Sequence, residues 1–316
     1  MRLARILFAL GTLVAVPTIS FAEDADAYYK QGLAYKQQGK TEDAISALEK
    51  AVAANPKHGM AWSSLGNLYK QKGDIAKAVA AYESATQTIT KDKVLWSNLG
   101  MAYYRAGEKL DKEAKAKQID KAIAALEKGK ALAPNDAEIR GNLGTIKRIK
   151  GDLPGAIAEL EVAVKSKPDD GTYWNNLGVA YRIAKRDDDA IKAFEKAVAI
   201  TPNDPQLHFN LGVAYRRKED IEKAKAEYEK AVGLQPDYAD AWWDLGQMYK
   251  ADHENDKAIN AFQKWLDLNK AAKKPDAETE KKAEEELAAL GGSKPKDPKK
   301  PDPKKPDPKK PPPKKK

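Results

Sequence analysis

Catalysis needs nucleophiles, bases or metal ligands brought together, and this 316-residue chain offers few of them. It has no cysteine, which excludes thiolate chemistry, disulfides and Cys-based metal sites. Its three histidines, His58, His208 and His253, lie far apart in sequence, and none falls in an HExxH or Ser/His/Asp setting. No Gly-rich phosphate loop follows a strand-like run. The carboxylates sit beside lysines at helix-surface spacings, as in Glu222-Lys223 and Glu227 to Lys230, the pattern of a solvated, ion-paired face. No catalytic residue, cofactor or metal is expected. What recurs instead suits recognition: Asn98, Asn142, Asn176 and Asn210, with Arg148, Arg182 and Arg216 each six residues beyond the last three amides. An amide can pair with both the C=O and the N–H of an extended peptide without reading its side chain. A guanidinium adds affinity for carboxylates.

These rows exist because the chain repeats itself every 34 residues, legible in Leu65-Gly66, Leu99-Gly100, Leu143-Gly144, Leu177-Gly178, Leu211-Gly212 and Leu245-Gly246, with Gln31-Gly32 as a weaker first copy. A period of this length means one supersecondary unit stacked on copies of itself, because a single unit cannot bury its apolar face. The copies span 25–58, 59–92, 93–136, 137–170, 171–204, 205–238 and 239–270. With the Gly as position 8, a first helix carries a large residue at 4 (Tyr28, Trp62, Trp96, Trp174, His208, Trp242), Leu at 7 and Tyr at 11. Spacings of 3 and 4 put these on one face. A second helix carries Ala at 20, a large residue at 24 such as Tyr82, Phe194 or Tyr228, and Ala at 27. Small residues at 8, 20 and 27 let backbones approach while the large ones fill the gaps beside them. Gly39, Gly73, Gly107 and Gly151 at position 15 are expected to end first helices in the left-handed region, with Asp74 and Asp152 capping the second helices. Pro56, Pro134, Pro168, Pro202 and Pro236 at position 32 stop second helices.

The pattern W-x2-L-G-x2-Y, A-x3-F, P, nearly complete at Trp96 to Tyr103 and Trp174 to Tyr181, resembles the tetratricopeptide repeat family over about 246 residues. The resemblance implies an all-α, right-handed superhelix of about seven helix-turn-helix repeats, a fold that binds other proteins. It also implies that position 6, which holds the four Asn, lies on the concave face of the first helices. Lined up there, the amides resemble the asparagine ladder of the O-linked N-acetylglucosamine transferase superhelix, although nothing here resembles that enzyme's catalytic domain. The residues alone leave two roles open for the row, hydrogen bonding between repeats or contact with a ligand. Position 12 is equally two-sided: Lys36, Lys70, Arg148, Arg182, Arg216 and Lys250 make either a groove wall for acidic or C-terminal carboxylate groups or a solvated edge.

Repeat 3 carries about ten extra residues, 108–117, expected to lengthen a helix or to protrude as a loop. Repeat 4 has Arg140 and Lys147 where Trp and Tyr stand elsewhere, and losing those aromatic contacts makes it the expected weak joint. Its Pro154 falls in a first helical turn, where proline is tolerated.

The two ends differ from the body. Arg2 and Arg5, an apolar run from Ile6 to Val16 and Ser20-Phe21-Ala22 read as a signal peptide over 1–22, with a mature chain from Glu23. Export to the bacterial cell envelope follows as an expectation, with the periplasm as destination and secretion or anchoring by an uncleaved leader as alternatives. A helix from Asp276 to Leu290, within 271–292, would cap the last repeat through Leu287 and Leu290. Beyond it, residues 293–316 hold eleven Lys, nine Pro and three Asp, too polar and proline-rich for a core, so a disordered, extended arm is expected. The arm and the leader arginines account for the net charge of +9, leaving the body near neutrality. Two functional readings result. Either the groove of repeats 3 to 6 holds a protein partner as a non-enzymatic scaffold, or the arm attaches the chain to an anionic envelope surface with the repeats as spacer or as presenter of a substrate to another enzyme. Nucleic acid suits the arm's charge, but export argues against it as a physiological partner.

Overall fold

The computed structural model describes residues 21–291; residues 1–20 of the leader expected over 1–22, and the arm expected over 293–316, lie outside them. Among the described residues there are fifteen helices and no strand. The chain divides into two compact units, Met1–Ser166 and Lys167–Lys316. In the first, α1(Phe21–Gln37), α2(Thr41–Ala54), α3(Gly59–Lys72), α4(Ile75–Thr86), α5(Lys93–Gly107), α6(Lys112–Leu132), α7(Ala137–Lys150) and α8(Leu153–Ser166) form four successive hairpins, with α2 on α3, α4 on α5 and α6 on α7. In the second, α9(Gly171–Ile183), α10(Asp187–Ile200), α11(Pro205–Arg217), α12(Ile221–Leu234), α13(Ala239–Ala251) and α14(Asn255–Ala271) form three hairpins, and α15(Ala277–Ala289) packs on α14. The all-α fold of about seven helix-turn-helix repeats is therefore present.

The small-against-large pattern explains the hairpin. A Cβ added to Gly66 would stand 2.5 Å from ring carbons of Tyr82, which is fully buried, so position 8 must be Gly for the position-24 side chain to lie against the helix. Successive hairpins are then latched by two hydrogen bonds that repeat. The position-4 side chain donates to a backbone carbonyl six residues earlier: Trp62 Nε1 to Pro56 O at 2.8 Å, Trp96 to Thr90 O at 2.9 Å, Trp174 to Pro168 O and Trp242 to Pro236 O at 2.9 Å. The position-11 Tyr hydroxyl donates to a Glu twenty residues earlier, as in Tyr215 to Glu195 and Tyr249 to Glu229, both 2.7 Å. Burial and these carboxylates push the Tyr69, Tyr103, Tyr215 and Tyr249 hydroxyls well above the ordinary tyrosine range, which keeps them neutral donors.

Repeat 4 keeps both latches with different chemistry, whereas the expectation of a weak joint counted only the missing aromatics. Arg140 Nε donates to Pro134 O at 2.6 Å, taking the indole's part, and Lys147 reaches Glu127 at 3.0 Å, taking the tyrosine's. Arg140 also pairs with Glu159, only 5% exposed, which accepts from Lys147 at 2.9 Å and Lys130 at 3.0 Å as well. Burial raises the Glu159 carboxyl's pKa, but the hydrogen bonds from Lys147, Arg140 and Lys130 outweigh it and bring the carboxyl to about 2. His208 follows the same rule, bridging Pro202 O at 2.8 Å and Glu227 at 2.6 Å. Position 23 is Glu in these two repeats and Ala in every other, so the pair at 4 and 23 is a bulky aromatic over Ala or a nitrogen-bearing side chain, Arg140 or His208, over Glu; Tyr28 over Ala47 follows the first form.

The turns hold a correction. Gly39, Gly73 and Gly151 take φ of 73°, 82° and 93°, as expected of left-handed caps. Gly107 does not: the extra residues move the turn to 108–111, so Gly107 stays helical and lets α5 approach Gln118 of α6. The insertion's remainder lengthens α6 to 21 residues. In repeats 5 to 7 the left-handed position is filled by Lys185, Glu219 and His253 at φ of 59°, 59° and 61°. Pro154 lies in the first turn of α8. In α15 the buried pair is Ala283 and Leu287, with Leu290 half-buried, and Asn269 of α14 accepts from Asp276 N at 2.8 Å to hold the helix start.

Candidate functional site

All four position-6 amides are half-buried on first helices, Asn98 on α5, Asn142 on α7, Asn176 on α9 and Asn210 on α11. They are not equivalent. Asn98 Oδ1 accepts from Lys70 Nζ at 2.9 Å, and Asn210 Nδ2 donates to Asn175 Oδ1 at 2.8 Å while its Oδ1 accepts from Gln206 at 3.3 Å. These two serve contacts within the protein. Asn142 and Asn176 have no side-chain hydrogen bond among the described residues, so both faces of each amide are open to a peptide group.

The position-12 row is also mixed. Arg148 is half-buried on α7, its Nε buried without a hydrogen-bond partner among the described residues, and Arg182 is half-buried on α9. Arg216 on α11 donates to Asp244 Oδ1 at 3.3 Å. Asp244 is buried, accepts from the Tyr228 hydroxyl at 3.2 Å, and its carboxyl is raised by burial against opposing pulls from Arg216 and that hydroxyl. The reach of a position-12 cation to position 6 of the next repeat, 28 residues on, is shared by Lys70–Asn98 and Arg216–Asp244. Sequence reading missed this coupling, although the fixed spacing between the Asn and basic rows was its signal. It also missed Glu159 and Glu227, which break an otherwise uniform column of Ala.

Among the described residues no group of three or more His, Asp or Glu is placed to hold a metal ion, and no helix is long and apolar enough to cross a membrane.

A family model described as the cilia and flagella-associated protein 70 C-terminal domain matches residues 8–235, and one described as tetratricopeptide repeat matches residues 209–277. No curated protein matches the chain. Among solved structures, a tetratricopeptide repeat protein from Parabacteroides merdae is similar at 16% identity and TM-score 0.58, over 84% of this chain and 99% of its own. YrrB, described as a tetratricopeptide repeat protein with an unusual peptide-binding site, is similar at 19% identity and TM-score 0.52, over 66% of this chain and 100% of its own. The Cut9–Hcn1 structure is similar at 24% identity and TM-score 0.54, over 72% of this chain; the chain spans 43% of that relative's length. At these identities the likeness establishes the fold.

Proposed function

Because the chain belongs to the tetratricopeptide repeat family, whose fold is a protein-interaction scaffold, we propose that it holds an extended segment of a partner protein along the first helices and performs no catalysis of its own. Two observations carry this, one in each unit taken by itself: the unpartnered, half-buried amide of Asn142 on α7 in the first unit, and that of Asn176 on α9 in the second, each six residues before an arginine. An amide of this kind satisfies a backbone C=O and N–H together, so an extended strand is the ligand that fits it. YrrB, which shares the fold, has a peptide-binding site, and a peptide is the ligand class proposed here. The order of charged, apolar and small residues over 1–22 supports export to the bacterial cell envelope, with the periplasm as the working compartment.

Replacing Asn142 and Asn176 together by Ala removes those hydrogen bonds and should weaken capture of the envelope partner about tenfold, with helical circular dichroism unchanged. Capture that stays the same moves the site off this row. The eleven lysines of 293–316 support a second reading, attachment to an anionic envelope surface through the arm. Deleting 294–316 separates the two: the groove reading requires partner capture to survive, the arm reading requires attachment to be lost. A mature chain starting at Glu23 in the periplasmic fraction is the expected N-terminal sequencing result.

A further inference from the structure

The first helices α3, α5, α7, α9 and α11 each start on a side chain that accepts from a backbone N–H, His58 in α3 and Asp92, Asp136, Asp170 and Asp204 in the others. At the start of α13 that residue is Tyr238, which makes no such bond. Giving up an N-cap destabilises a helix start, so an aromatic ring at this place has another reason. Its neighbours depart from the repeat as well. Position 5 is Ser63, Ser97, Gly141 and Asn175 in repeats 2 to 5, but Phe209 and Trp243 in repeats 6 and 7. The Phe209 and Tyr238 rings lie 5.0 Å apart, the Tyr238 hydroxyl donates to Gln206 Oε1 at 2.9 Å, and Phe209, Tyr238 and Trp243 are all half-buried. In this same unit the position-11 tyrosines carry a cation over the ring: Arg186 over Tyr181 at 4.4 Å, and Lys223 over Tyr215 and Lys257 over Tyr249 at 5.2 Å. Among the described residues no cation covers Phe209, Tyr238 or Trp243. What surrounds them is acidic: Asp237 and Asp240 are exposed and in no ion pair among the described residues. Burial first and then Asp240, with Asp204 and Asp244 adding to it, push the Tyr238 hydroxyl up to about 12 against its hydrogen bond to Gln206. Trp243 Nε1 has no hydrogen bond among the described residues, which leaves an N–H donor on α13.

An aromatic surface edged with unpaired carboxylates and an open indole N–H fits a chain of prolines and lysines. Proline in the polyproline II conformation packs on rings and its carbonyl accepts from an indole, while lysine pairs with aspartate. Such a chain is attached to this same unit: α15 packs on α14 and ends at Ala289, and residues 293–316 hold nine Pro and eleven Lys. We propose that residues 294–316 seat on Phe209, Tyr238 and Trp243 of their own molecule, with lysines at Asp237 and Asp240. The length suffices. At about 3.1 Å per residue these residues reach about 70 Å, whereas the steps from α15 back to α11 number four at about 10 Å each. Tethering supplies an effective concentration in the range of about 1 mM, so even a contact with a Kd of about 1 mM is half-populated. Whatever else binds this face of α11 and α13 must displace the arm, which makes the contact autoinhibitory. No partner protein is needed, so the contact is independent of the groove reading.

The chain lacks cysteine, so Lys305→Cys gives a single site for a nitroxide label in the full chain. In its nuclear magnetic resonance spectrum the backbone amides of Phe209, Tyr238 and Trp243 should lose about half their intensity relative to the reduced label, at any protein concentration. Tyr238→Asp restores the capping residue of the other first helices, so the urea midpoint should hold or rise. It should nevertheless cut the broadening at Phe209 and Trp243 about threefold, because the ring is gone. An arm held by charge alone would stay at least as well, since the change adds an acid. Asp237→Asn with Asp240→Asn should also cut the broadening, by removing the partners of the lysines. Parent spectra without selective broadening at these three amides overturn the docking. Broadening that survives Tyr238→Asp undiminished overturns the aromatic seat, and broadening that survives the double Asn change overturns the pairing with lysine. A mixture of nitroxide-bearing chain with isotope-labelled chain lacking the nitroxide should show none; broadening there assigns the occupant to a second copy and overturns the intramolecular contact.

Discussion

The buried charge cluster of repeat 4 gives a prediction with a sign in pH. Glu159 has a side chain 7% exposed and accepts from three cations, and its carboxyl is brought from 4.5 to about 2. At about 1.4 kcal/mol per pKa unit the shift is worth about 3 kcal/mol, and allowing for the partly solvated partners about 2 to 3 kcal/mol is a fair value. Because the folded pKa is depressed, the unfolded chain binds more protons in the acid range. The contribution is therefore complete above pH 4.5 and is lost as pH falls toward 2. Glu159→Gln keeps the shape, leaves Lys147 and Lys130 with Glu127 as their remaining carboxylate, and leaves Arg140 with the Pro134 carbonyl. A stacked-repeat chain can open piecewise, so the measurement is native-state hydrogen exchange of the α8 amides rather than one global midpoint. At pH 7 their protection should fall about thirty- to a hundredfold, and by pH 3 the effect should shrink by about half. The double change Arg140→Trp with Glu159→Ala rebuilds the aromatic-over-Ala pair of the other repeats. It should return protection to within about 1 kcal/mol of the parent, because a buried ion cluster is replaceable by well-packed apolar groups. An effect of Glu159→Gln that is equal at pH 3 and pH 7, or a double change worse than the single one, would refute the reasoning.

Two further outcomes follow from backbone and packing. Lys185, Glu219 and His253 hold left-handed conformations that glycine holds in repeats 1, 2 and 4, so each substitution to Gly should stabilise the second unit by about 0.5 to 1 kcal/mol, read as a higher urea midpoint; a lower midpoint contradicts the strain assignment. Gly66→Ala places a methyl 2.5 Å from the Tyr82 ring and should cost about 1 to 3 kcal/mol by the same measurement, while Gly233→Ala, in open space on α12, should cost nothing or stabilise.

The repeat was legible because its signals are local. Gly66 and Tyr82 are sixteen residues apart within one hairpin, and Pro56 or Pro134 ends a helix by its own covalent geometry. The same locality failed at Gly107, where a nearby insertion displaced the turn, and at Arg140 and Lys147. There a substitution table reads loss, yet each side chain offers an N–H donor that does what indole or phenol does elsewhere. The amide row was legible as a row but not as four different residues, since Asn98 and Asn210 differ from Asn142 and Asn176 only in what lies opposite them.

The amino-acid order by itself determined the helical hairpins, their number and the face each one buries, since periodicity, chirality and steric size act within a few tens of residues. Tertiary structure alone decided which polar side chains are engaged inside the protein and which remain open to a ligand. That choice depends on a partner 28 or 35 residues away, brought within about 3 Å only when one hairpin stacks on the next.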